Sequence, residues 1–294
     1  MRQARQYKRA TSAIFLSPAL VVIGAFTLIP LIMTLVISLF RWSMLTPISK
    51  MSFVGFANYA RILTDSGRLQ VFGNTLIYVG LSVLITLPLA VVIAMLLYFP
   101  KLHGKSVVRT ILFATYVIPT IAIVITFSNI YSPNYGPLAT IIKAMGLPAP
   151  GFLSSPNQAL VSLVIFNVWQ MLGYYVILLV AGLTQIPSDL FEAARMDGAG
   201  VIRQMIYVTL PLLQRTLAFV ALMTVINSIQ VFDPIYLLTT GGPAGSTTVL
   251  SFDIQRQAFQ YGLAGDASAL SVMMLGLVAL IGGVLAIVMR RRTS

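Results

Sequence analysis

From Thr11 to Phe40 not one residue carries a charge. An uncharged, strongly apolar run of this length exceeds the roughly 20 residues that carry an α-helix across a bilayer. It also exceeds the roughly 7–15 apolar residues of a cleaved signal peptide, so the run predicts a first membrane helix, with Pro18 and Pro30 expected to kink it. Arg2, Arg5, Lys8 and Arg9 precede it, which places the N-terminus on the cytoplasmic side.

The same pattern recurs along the chain. Apolar residues make up 58% and charged residues 9%, against about 25% charged in soluble domains. The expectation is an all-α polytopic membrane protein with about six transmembrane helices, near 12–40, 72–99, 108–130, 159–184, 208–238 and 267–289. Residues 1–294 then form one transmembrane domain with both termini cytoplasmic, no soluble domain and no clear internal repeat. Six passes put thirteen basic residues inside, including Lys101, Lys105 and Arg109 after the second span and Arg290–Arg292 at the end. Six fall outside: Arg41, Lys50, Arg61, Arg68, Lys143 and Arg256. That bias follows the positive-inside rule, although four of the six crowd the first outer loop. The formal net charge of +12 is thus explained by topology and needs no nucleic acid.

Several chemistries lack their residues. Zero cysteines exclude disulfides, thiolate zinc sites and iron–sulfur clusters, and the lone His103, flanked by Lys101 and Lys105, reads as a surface residue. Gly241–Gly245 does not spell a phosphate-binding loop and reads as a tight turn. An intramembrane enzyme needs a paired nucleophile and base or two facing acids, whereas the acids here sit at span ends or in loops. Asp233, before Pro234 at the outer end of span five, is the nearest to an intramembrane charge, and reads equally as a pocket acid or a boundary residue.

One polar segment, 185–207, carries three of the seven acids, Asp189, Glu192 and Asp197, including the only glutamate. Pro187-Ser188-Asp189 reads as a helix start with a side-chain cap, Leu190–Met196 as helix, and Gly198 and Gly200 as its end. A second short helix follows, with Val201, Ile202, Met205, Ile206 and Val208 as an apolar stripe opposite Arg203 and Gln204. Pro211 falls in the first turn of the next span, where its missing N–H matters least. On physics alone this helix–turn–helix is equally an amphipathic connector resting on headgroups.

The spelling Glu192-Ala193-Ala194, then Gly198, then Val208-x-Leu210-Pro211 resembles the EAA loop of bacterial ABC importer membrane subunits, with Val208 where isoleucine is usual. Three further segments are similar to the carbohydrate branch of these permeases: Phe53-Val-Gly-Phe-Ala-Asn-Tyr59, Tyr131-Ser-Pro-Asn-Tyr-Gly-Pro137 and Val231-Phe-Asp-Pro-Ile-Tyr-Leu-Leu-Thr-Thr-Gly-Gly-Pro243. The resemblance implies a type I importer permease fold in a bacterial or archaeal plasma membrane. It implies as partners a second permease, two ATPase subunits that bind ATP and Mg, and an extracytoplasmic solute-binding protein. It assigns ATPase coupling to Glu192, Ala193, Ala194, Asp197, Gly198 and Pro211, with Glu192 pairing a basic residue of the ATPase. This chain itself is expected to hold no cofactor or metal.

Polar residues inside spans normally face protein or a watery path, because lipid gives them no partner. Thr224, Asn227, Ser228 and Val231 share one face of span five, Asn167, Gln170 and Tyr174 one face of span four, and Tyr116 and Thr120 flank Pro119 in span three. Each can equally be bundle glue. Together they suit a neutral polyol, which needs hydrogen bonds to its hydroxyls and an aromatic ring against its C–H face. The resemblance points to Tyr116, Thr120, Gln170, Tyr174, Thr224, Asn227, Ser228, Val231 and Asp233 as the substrate pathway, with a sugar as substrate. A glycerol-phosphate-type substrate and a non-conducting scaffold subunit are the alternatives.

Overall fold

The computed structural model describes residues 15–98 and 103–293. The basic N-terminal residues and Lys101 lie outside it, as do the side chains of Arg290–Arg292. The described chain is mostly helical, and its short helices include α6 (Pro137–Ala144) and α12 (Leu250–Gln255). Its long apolar helices are α1 (Phe15–Ile37), α3 (Ser66–Tyr98), α7 (Ala159–Leu183), α10 (Leu210–Ile229) within the apolar stretch Val201–Leu238, and α13 (Ala264–Thr293). A broken pair, α4 (Lys105–Val117) and α5 (Thr120–Ile130), makes a sixth candidate span when its two halves are counted as one. Its two halves meet at 97°. Ile118 before Pro119 is extended (φ −66°, ψ 132°), as the proline ring demands of its predecessor. The proline therefore ends one helix and starts the next, within what the sequence reads as one continuous span near 108–130.

Packing divides the chain into two compact units. The first comprises the chain up to Ser66 with Ile254–Met273; the second comprises Gly67–Asp253 and the chain from Met274.

In the first unit, the motif Phe53–Tyr59 closes the end of α1. Two short antiparallel strands, β1 (Phe40–Arg41) and β2 (Ser52–Phe53), pair Phe40 with Phe53, whose rings meet edge to face at 5.3 Å. Gly55 takes φ +55° to turn the chain into α2 (Ala57–Thr64). The buried Asn58 then donates to the carbonyls of Ser38 (2.8 Å) and Phe40 (2.9 Å), and Tyr59 Oη donates to Ser38 Oγ (2.6 Å). These bonds satisfy backbone acceptors just past the helix end. Arg61 reaches both Asn58 Oδ1 and the carboxylate of Asp266.

The second unit has an apolar core in which Leu97, Tyr175, Val176, Leu179, Leu183, Leu213 and Val220 pack together, joining α3, α7 and α10. Gly173 lets α7 approach the backbone of α4, because a Cβ there would collide with the Leu112 carbonyl. At the far end, the loop from Thr239 is a tight turn. Gly241 and Gly245 adopt φ +82° and +74° around a cis Gly242–Pro243 bond. Asn74 on α3 donates to the carbonyls of Gly245 and Thr248 (both 3.0 Å), and Thr75 Oγ1 accepts from Leu250 N (3.0 Å). Arg68 pairs with the wholly buried Asp253 at 3.1 Å. Two of the four basic residues expected in the first outer loop, Arg61 and Arg68, are thus bound to carboxylates.

Candidate functional site

The segment between α7 and α10 forms two short helices, α8 (Ser188–Met196) and α9 (Val201–Gln204). The start of α8 differs from expectation. Pro187 is the residue flanking the helix, no side chain caps it, and Ser188 Oγ instead donates to Asp189 Oδ1 at 3.3 Å. Asp189 still places an anion in the first turn, where the helix dipole favours it. The end is closed by backbone alone. Gly198 sits at φ +74°, its N–H bonds Arg195 O at 3.0 Å, and Ala199 N bonds Ala194 O at 2.9 Å. That paired pattern requires one left-handed residue. It is Gly198 only: Gly200 has φ −67°, which any residue adopts.

Glu192 and Ala193 are exposed, Asp197 is exposed at the helix end, and Ala194 is half-buried. Glu192 forms no ion pair among the described residues. Its carboxylate is free to meet a cation from outside the chain.

After α9 the backbone shifts to i→i+5 bonding over Met205–Thr209, with Leu210 N–H on Met205 O. Thr209 Oγ1 adds a bond to Gln204 O at 3.3 Å. Pro211 follows in the first turn of α10, where no N–H is needed. The register shift splits the expected apolar stripe: Met205 and Val208 turn inward, while Val201, Ile202 and Ile206 stay exposed and, with Arg203 and Tyr207, line a shallow depression.

The expected pathway residues fall into two groups. At the α4–α5 break, Tyr116 and Tyr174 stack with centroids 4.7 Å apart and planes inclined 18°. Gln170 Nε2 donates to Thr120 Oγ1 at 2.9 Å, and Thr115 Oγ1 donates to the Gln170 carbonyl at 3.3 Å. The break itself brings this set together, because it turns Thr120 and Tyr116 toward one face of α7. The second group lies on α10. Asn227 Nδ2 donates to Tyr175 Oη at 3.0 Å, a partner that the helical spacing from Tyr174 did not select. Thr224 and Ser228 are buried in packing, and Thr224 Oγ1 donates to its own helix at Val220 O (2.8 Å). Val231 is buried, with its carbonyl accepting from Ser251, and Asp233 is exposed at the start of the short helix α11 (Asp233–Leu238).

One polar stripe escapes a reading of spans three to five. Thr75, Tyr78, Ser82 and Thr86 lie at i, i+3, i+7 and i+11 on α3, all at most 1% exposed. The signal was present as four hydroxyls at helical spacing in an apolar run. Among the described residues no cluster of three or more acids and histidines could hold a metal.

Comparison with known proteins follows the same lines. Residues 68–294 match the family model described as "Binding-protein-dependent transport system inner membrane component". The chain is 33% identical over 266 residues to the probable ABC transporter permease protein YurN of Bacillus subtilis (strain 168), covering 89% of this chain and 90% of that protein. It is 35% identical over 267 residues to the trehalose/maltose transport system permease protein MalF of Thermococcus litoralis, covering 89% and 87%. Among solved structures, a chain of the bacterial alginate ABC transporter in complex with an alginate pentasaccharide-bound periplasmic protein superposes with a TM-score of 0.84 at 22% identity, over 100% of this chain and 99% of that one.

Proposed function

Because this chain belongs to the binding-protein-dependent transport system inner membrane components, we propose that it is one membrane half of an ATP-driven importer for a sugar or related polyol. It pairs with a second permease, takes substrate from an extracytoplasmic solute-binding protein, and is driven by two ATPase subunits that hold ATP and Mg. The coupling role falls to the exposed Glu192 helix. Its side chain is unpaired within the described chain, its helix is closed by a single required glycine, and the chain runs from it through α9 and Met205–Thr209 into α10.

The observation that carries the substrate class is the neutral set at the α4–α5 break: stacked Tyr116 and Tyr174 beside the Gln170–Thr120 pair. A ring face receives the C–H side of a pyranose, and the amide and hydroxyls exchange their mutual bonds for bonds to sugar hydroxyls. No charge in that set would hold an ionic substrate. The relative named for trehalose and maltose supports this class.

The test is uptake by the reconstituted assembly of mono-, di- and oligosaccharides against glycerol phosphates. Tyr174→Ala combined with Asn227→Ala is expected to cut sugar flux at least about tenfold while all subunits copurify. Unchanged flux in that variant, or preference for a phosphorylated solute, overturns the reading.

A further inference from the structure

Of the side chains on α8, only Phe191 and Ala194 are turned away from solvent; Ser188, Asp189, Leu190, Glu192, Ala193, Arg195 and Met196 are exposed. Positions 191 and 194 are three apart and so share one face of the helix. Phe191 reaches the core that contains Leu97, Leu183 and Ile186. Its ring meets that of Tyr98 at 6.0 Å, with planes inclined 44°. Tyr98 is the last residue of α3, a span that is not adjacent in sequence to the α8 segment. The same residue's carbonyl accepts from Lys105 Nζ at 3.5 Å, at the first residue of α4. One aromatic contact therefore connects α8 to the ends of two spans to which it has no direct covalent link.

We propose that Phe191 and Tyr98 form the contact through which movement of α8 is passed to α3, so that the helix drives a third span besides the two it joins, α7 and α10. The inference rests on the coupling reading and adds to it a route. A push on α8 that reached only α7 and α10 would move them through the chain itself. Phe191 is partly buried against that core, and packed interiors transmit displacement because they hold few voids to absorb it. Removing the ring leaves that face of α8 with Ala194 alone, a methyl group too short to hold α3. The exposed acids, by contrast, remain available to a partner whether or not the ring is present. Docking and transmission are thus assigned to opposite faces of one helix, and Phe191 and Tyr98 act as positioning residues.

The complete reconstituted transporter separates these roles. Phe191→Ala and Tyr98→Ala are expected to retain the ATPase subunits on purification and to hydrolyse ATP, but to lower solute moved per ATP about tenfold. The double variant should be no worse than either single one, since both break the same contact, and Phe191→Tyr and Tyr98→Phe should restore the wild-type ratio. Wild-type transport per ATP in both alanine variants overturns the proposal. So does loss of the ATPase from them, which would make the pair a docking or folding element while leaving the coupling reading intact. Failure of the coupling reading has its own signature, normal uptake by the Glu192→Lys assembly.

Discussion

Asn58 illustrates how one polar side chain can decide a turn. Its amide is buried, both N–H groups end on carbonyls next to the end of α1, and its oxygen receives Arg61. Asn58→Ala strands those acceptors in a place water does not reach, so we expect a loss of about 2 kcal/mol, read as a lower midpoint in detergent-titrated unfolding. Tyr131 offers a different readout. It lies just beyond α5, donates to Ser162 O at 3.0 Å, and burial pushes its phenol up to about 12 from an ordinary 10.0. Between these two values the unfolded chain has given up a proton that the folded one keeps, so stability falls as pH rises through that window. The slope between pH 10 and 12 should be shallower in Tyr131→Phe, and equal slopes would remove Tyr131 as its source. Neither role was visible beforehand. Asparagine and tyrosine each stood in a motif whose letters say that they matter, and only the folded positions of Ser38, Phe40 and Ser162 say what they bind.

At the scale of elements, prolines divide by whether the helix continues past them and glycines by whether their φ is positive. Pro119 breaks its span, whereas Pro88 lies inside α3 without ending it, with buried Thr86 and Ala90 on either side of it in the helix. Local sterics are the same in both and both prolines are exposed, so nothing packed against the ring accounts for the difference. The two glycines after α8 divide just as sharply. Gly198→Ala forces a side chain into φ +74° with no neighbour in the way, a backbone cost of about 1–2 kcal/mol that should loosen the turn and reduce uptake per ATP. Gly200→Ala should leave both stability and uptake unchanged, since its φ of −67° is ordinary. Equal effects of the two substitutions would show that the turn is not held by Gly198. The sequence marked both as helix breakers because spacing cannot distinguish a glycine needed for its φ from one that merely stands at a helix start.

For the whole molecule the decisive relation is between a polar, exposed helix and an apolar bundle. Glu192→Lys should leave the protein in the membrane and assembled with the second permease, because an exposed side chain carries little of the fold, yet it should uncouple uptake from ATP hydrolysis. Solute flux and phosphate release measured on the same vesicles check this, and unchanged coupling would count against it. Long uncharged runs and scarce charges determine, from sequence alone, that the chain crosses the bilayer repeatedly, because lipid forbids unpaired backbone and penalises charge at any position in any fold. Tertiary structure alone decides which polar side chains pair across helices: Asn227 with Tyr175, Gln170 with Thr120, Arg68 with Asp253. It also decides which of them, such as Thr224, turn back on their own helix. Helical periodicity specifies a face, but what that face meets depends on breaks and register shifts, as at Pro119 and Met205–Thr209, each of which rotates the residues beyond it relative to those before.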